Sequence, residues 1–89
     1  MREAEELQTK LEAGILRLLG QRGVGKTVCP SEVARAVAGS EVRSVWEPLM
    51  ESTRQAAGRL VAEGRLVITQ RGRVIDGATA KGPVRLRLR

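Results

Sequence analysis

The spacing of apolar residues changes character at Gly64, and that change constrains the fold more than any other feature of the chain. Before Gly64 apolar side chains recur every three or four residues, and beyond it they alternate. Residues three and four apart share a helix face, whereas successive strand residues point to opposite faces. The chain therefore joins a helical body to a β appendage. In residues 1–20, Leu7, Leu11, Ile15, Leu18 and Leu19 recur at helical steps. Glu3, Glu5 and Glu6 lie in the first turns of this helix, where acids suit the helix dipole. Gly14 is a weak point in it, and the glycines from Gly20 to Gly25 end it.

Cys29-Pro30-Ser31-Glu32 opens a second helix. Proline is favoured at the first helical position, and Glu32 can reach back to the free amides. Val33, Ala34 and Val37 form its buried stripe, and Gly39 closes it. A loop over residues 39–45 leads to a third helix that starts near Trp46-Glu47-Pro48 and ends at Glu63-Gly64. Leu49, Met50, Thr53, Ala56, Ala57, Leu60 and Val61 share its apolar face. Glu51, Gln55, Gly58 and Ala62 centre the opposite face, flanked by Arg54, Ser52 and Arg59.

Residues 65–70 (RLVITQ) are β-branched and apolar, and residues 84–89 (VRLRLR) alternate strictly. A hairpin is predicted from them, with Leu66, Ile68, Leu86 and Leu88 facing the helices. Arg71-Gly72 and Gly82-Pro83 are turn signals, and Arg73-Val74-Ile75 adds a short pairing before a loop over residues 76–81. Three helices followed by a hairpin, within one domain over residues 1–89, is the α+β arrangement of a winged helix-turn-helix. Trp46 is the one aromatic residue. The core must then be aliphatic, with Trp46 expected as a plug at the start of the third helix.

Charge follows the same boundary. Residues 1–63 carry nine basic and nine acidic side chains, while residues 64–89 carry seven basic ones against Asp76, so the +6 resides in the β segment. A concentrated basic face is the electrostatic footprint of phosphate recognition. Double-stranded DNA is the partner this points to. The third helix would enter the major groove, where Arg can read guanine and Gln adenine, which nominates Ser52, Arg54, Gln55 and Arg59. Those side chains also fit a merely solvated helix face. Arg71, Arg73 and Lys81 would hold phosphates from the wing. The ladder Arg85, Arg87 and Arg89 could do the same, or could guard a strand edge against aggregation. Glu47 and Glu51 favour a rival reading, a winged helix that binds an acidic protein partner. A homodimer is compatible with either. The chain carries no effector domain, so ligand sensing would need a partner or a cavity between two copies.

Other classes are disfavoured. Cys29 is the single cysteine and histidine is absent. No internal disulfide can form, a zinc site lacks its ligands, and nucleophilic catalysis lacks its commonest base. A binding module without cofactor or enzyme activity is expected, located in a reducing cytoplasm. No apolar run approaches the ~18 residues of a membrane span, and the acidic start is not a signal peptide.

Gly20-Gln21-Arg22-Gly23-Val24-Gly25-Lys26-Thr27 matches the phosphate-loop pattern GxxxxGK[ST]. That motif works when a strand feeds the loop and a helix leaves it, so that amides and a helix dipole hold the phosphates. Here an amphipathic helix precedes it and Val28-Cys29-Pro30 follows. A glycine-rich connection between helices is expected, with no nucleotide bound.

Three stretches together, RGVGKTVCPSEVARAV, W-x-PLM-x-x-x-R-x-AA-x-RL-x-x-EGRL and TQRGR-x-x-D-x-x-T-A-K-GPVRLRL, carry a likeness to a known family. The chain resembles the small bacterial family catalogued as domain of unknown function 3253, over about residues 15–88. The resemblance implies a winged-helix form with the GKT segment between two helices, and it brings no ligand, partner or functional residues. Residues 1–12 lie outside it, as a helical extension.

Overall fold

The two periods resolve into α1 (Arg2–Arg22), β1 (Thr27–Val28), α2 (Pro30–Ala38), α3 (Arg43–Trp46), a 3₁₀ turn (Glu47–Leu49), α4 (Met50–Ala62), β2 (Leu66–Gln70), β3 (Arg73–Ile75) and β4 (Arg85–Leu88). The computed structural model describes residues 2–76 and 81–89. It is an α+β arrangement in which α1 and α4 pack on one face of a four-stranded antiparallel sheet, with α2 packed against both helices. Most of the loop expected at 76–81 lies outside the described residues.

The helices form where the apolar stripe and the stop signals agree. Leu11, Ile15 and Leu19 of α1 are fully buried, at a worth of ~1.5–3 kcal/mol each. The helix continues past Gly20 to Arg22, because a single glycine weakens a helix without stopping it. It ends where Gly23 turns to a φ of 97° and returns its N–H to the Leu19 carbonyl. Cys29 caps α2 in an extended conformation, Pro30 takes the first position, and Glu32 Oε1 accepts the Cys29 N–H at 3.4 Å. Gly39 closes α2 in the left-handed region at φ 67° and donates to the Arg35 carbonyl.

Four particulars depart from the sequence-based expectation. Part of the loop placed at 39–45 is helical, since no Gly or Pro interrupts residues 41–47 and the Val45 and Trp46 amides both find the Val42 carbonyl. Gly14 is a buried notch as well as a weak point: a Cβ there would lie 3.0 Å from Val37 Cγ2, so its bareness lets α1 and α2 approach. Val61 lies at the margin of the α4 stripe, 37% exposed, while Thr53, Ala56, Ala57 and Leu60 are buried. Trp46 does not enter the core. It is half-buried on the α2 side, its ring centroid 5.6 Å from the Arg35 guanidinium, and its Nε1 donates to the Glu41 carbonyl at 3.3 Å. The aliphatic core closes without it.

Pairing of the expected hairpin is as the alternation requires, Leu66 with Leu88 and Ile68 with Leu86. The strand order is β1-β4-β2-β3. β3 extends the sheet as anticipated from Arg73-Val74-Ile75. β1, which the sequence did not reveal, pairs Thr27 with Arg87 and Val28 with Leu86. Val28 is fully buried. No helix among the described residues is long and apolar enough to cross a membrane.

Candidate nucleic-acid interface

The nominated residues of α4 divide between two flanks. Ser52, Gln55 and Arg59 lie beside α1. Gln8 Nε2 donates to the Ser52 carbonyl at 3.2 Å and reaches Gln55 Oε1 at 3.5 Å. Arg59 Nε stands 3.9 Å from Glu12 and 4.0 Å from Glu63. Arg54 is on the other flank, exposed, on the rim of a cleft between α4 and the sheet. Glu51 is exposed between the two flanks. The four candidates therefore do not converge on one patch. Arg54 is left with no ion pair among the described residues, while Arg59 is partly neutralised.

The basic β segment divides in the same way. Side chains alternate across the pleat, so Gln70 and its partner Arg73 share the helix-facing side with Ile68, Ile75 and Leu86. Arg85 and Arg87 lie on the opposite side with Val67 and Thr69. Between β2 and β3 the chain reverses through Arg71 at φ 53° and Gly72 at φ 80°. Two positive φ values in succession make the two-residue turn whose twist suits a hairpin. Asn or Gly usually fills the first position, and a non-glycine residue there is uncommon. Arg71, Arg73 and Lys81 are all exposed, and none makes an ion pair among the described residues. At the base of the β2–β3 hairpin Gln70 Nε2 donates to the carbonyls of Lys81 at 2.6 Å and Pro83 at 3.2 Å. That ties the return strand to β2 and sets where Lys81 sits.

Arg85 has a different task. Its Nε donates to Thr27 Oγ1 at 2.9 Å and an Nη donates to Cys29 Sγ at 2.7 Å, while Glu32 lies 4.0 Å away. Arg22 joins from the end of α1, donating to the Thr27 carbonyl at 2.8 Å and to the Glu32 carboxylate. Burial works against the charged form of Glu32. The Arg22 hydrogen bond, the Cys29 N–H and the charges of Arg22 and Arg85 outweigh it, and its pKa sits below the ordinary 4.5. The ladder is thus not uniform: Arg85 fastens β4 to β1 and to the start of α2. Nothing in the alternation VRLRLR distinguishes Arg85 from Arg87, and the signal that separates them, the approach of Thr27 and Glu32, is long-range.

The phosphate-loop lookalike is framed by α1 before it and β1 after it. Gly20 and Arg22 belong to the helix, and the Gly23 and Lys26 amides bond to Leu19 and Gly23 carbonyls. The segment runs helix–loop–strand, the reverse of the phosphate-binding order, and no helix N-terminus follows Lys26-Thr27 at the required place.

A protein of α+β class with an exposed, uncommitted set of cations along one hairpin is what these elements define. The chain belongs to the family described as protein of unknown function (DUF3253), whose model matches residues 8–89. The match takes in Gln8 and Glu12, the α1 residues that face α4. No curated protein matches the chain.

Proposed function

We propose that the chain is a winged helix-turn-helix module that binds double-stranded DNA, with α2 and α4 as the helix pair and the β2–β3–β4 segment as the wing. One observation carries this reading. Among the described residues Arg22, Arg35, Arg43, Arg59, Arg65 and Arg85 stand within 4.0 Å of a carboxylate, whereas ten cations do not: Arg54, Arg71, Arg73, Lys81, Arg87 and Arg89, and on α1 and the loop after it Arg2, Lys10, Arg17 and Lys26. Six of those ten lie on α4 or beyond Gly64, and Arg54, Arg71, Arg73 and Lys81 among them are exposed. The unusual choice of Arg at a positive-φ turn position adds support, because a side chain kept at conformational cost is kept for its chemistry. Arg71, Arg73 and Lys81 would hold phosphates, with Arg54 placed to reach a base edge. Ser52, Gln55 and Arg59 lie on the flank that packs beside α1, where Gln55 and Arg59 would act only after exchanging their contacts with Gln8 and Glu12.

A second reading, an acidic protein partner, is favoured by Glu51 at the centre of the exposed α4 face, where it would repel phosphate. One experiment separates the two. Affinity for a mixed-sequence duplex is measured as a function of salt, where each neutralised phosphate contributes a slope of roughly 0.9. Replacing Arg71 and Arg73 together with Ala should flatten the slope by about two units and weaken all sequences alike. Arg54→Ala should instead change the preference among sequences. No binding by the wild-type protein at ~50 mM salt would end the DNA reading in favour of the acidic partner.

A further inference from the structure

We infer that the cleft between α4 and the sheet binds a small monocarboxylate with a compact apolar body, such as an aromatic or branched aliphatic acid. The cleft shares Arg54 with the DNA reading but does not otherwise rest on it. A ligand cavity within a single copy is also what the sequence pattern did not foresee.

The cleft holds a volume of ≈ 190 Å³, with Ala57, Gly58 and Val61 of α4 on one wall and Ile68, Val84 and Leu86 of the sheet on the other. An apolar cavity of ~150 Å³ takes up benzene, so this one accepts a body of that size. Gly58 stands exposed at its margin. A Cβ built there meets no atom within 4 Å, so the space beside it is left empty. Gly58 has no positive φ and no turn to make. In a helix interior it costs ~1 kcal/mol relative to Ala, and neither local conformation nor close packing asks for it.

The charges at the rim choose the polar end of the ligand. Arg54 lies one turn before Gly58 on the same side of α4 and makes no ion pair among the described residues. Its guanidinium matches a carboxylate in a two-point hydrogen bond. Asp76 also borders the cleft and is itself engaged. Its negative charge disfavours a second carboxylate, which limits the ligand to one.

The test uses benzoate, with benzyl alcohol and benzylamine as matched bodies that lack the anion. Titration is followed by amide chemical shifts across residues 57–61 and 66–68. Benzoate should give saturating shifts confined to these walls, tighter than either control. Arg54→Gln should weaken benzoate by roughly tenfold, the worth of a charge-assisted hydrogen bond, and remove its advantage over benzyl alcohol. Gly58→Leu is a better helix former and sets a bulky side chain at the cleft margin, so it should melt no lower than the wild type and bind benzoate more weakly. Arg54 is exposed, so its variant keeps the measurement meaningful if Gly58→Leu misfolds. No saturable shift at about 20 mM benzoate, in excess of the millimolar affinity such a small contact supports, would overturn the inference. Equal affinity for benzyl alcohol, or undiminished binding by folded Gly58→Leu, would overturn it as well.

Discussion

Replacing Glu32 with Gln tests whether the junction of α1, β1, α2 and β4 is held by charge. The wild-type carboxylate accepts the Cys29 N–H, pairs with Arg22 and faces Arg85. Loss of the reciprocal cap is worth ~1 kcal/mol. The Arg22 pair is discounted for solvent, because that guanidinium is 40% exposed and the carboxylate 21%, which leaves roughly 0.5–1 kcal/mol. Gln keeps a cap acceptor and the packing, so the expected loss at pH 7 is ~1 kcal/mol, equivalent to about 4–8 °C in a chain of this size. The pH dependence supplies a sharper criterion. The folded pKa of Glu32 lies below its unfolded value, so its contribution is present above that value and is lost as pH falls through the folded pKa. Thermal melts followed by circular dichroism at pH 7 and through the acid range below 4.5 should therefore converge. The wild type loses stability there that Glu32→Gln has already lost, and subtracting one curve from the other removes the remaining carboxylates. Parallel curves with a constant offset, or coincident ones at pH 7, would refute the idea that this charge cluster secures the junction.

The notch at Gly14 gives a size-dependent result. Gly14→Ala sets a helix-propensity gain of ~1 kcal/mol against a 3.0 Å contact with Val37, which is half-buried and can turn aside, so the melting point should change little. Gly14→Leu forces α1 from α2 and should cost ~1–3 kcal/mol in chemical denaturation; a neutral result would mean that the helices are not so closely apposed. For the phosphate-loop lookalike, calorimetry with ATP or GTP and Mg²⁺ at millimolar nucleotide should register no heat of binding. Saturable binding abolished by Lys26→Ala would show that the helix–loop–strand frame can hold phosphates after all.

Local signals were sufficient for most of the architecture. Helix and strand type follow from a residue's neighbours within one turn, so α1, α2, α4 and the β2–β4 pairing could be read from periodicity, from Pro30 and Gly39, and from alternation in residues 84–89. Two-residue β1 has no period to read, and it exists because β4 offers an unsatisfied edge beside Val28. The location of surplus charge was also legible, since it depends on composition alone. Which cations stay uncommitted was not. Arg85 and Arg87 are equivalent in sequence, and only the docking of Thr27, Cys29 and Glu32 makes Arg85 a fastener. The spacing of Arg54 from Ser52 and Arg59 on the helix was legible, but only the packing of α1 decides that the side carrying Ser52, Gln55 and Arg59 is the engaged one. Trp46 had the hydrophobicity of a core residue, but its position beyond the aliphatic core left it stacked on Arg35. The cleft beside Gly58 belongs to the same class, because a void is a relation between distant walls. Periodicity acts within a few residues of chain, while the contacts that engage Arg22 and Arg85 and the walls of the cleft join residues ten to sixty positions apart, which only the tertiary fold brings together.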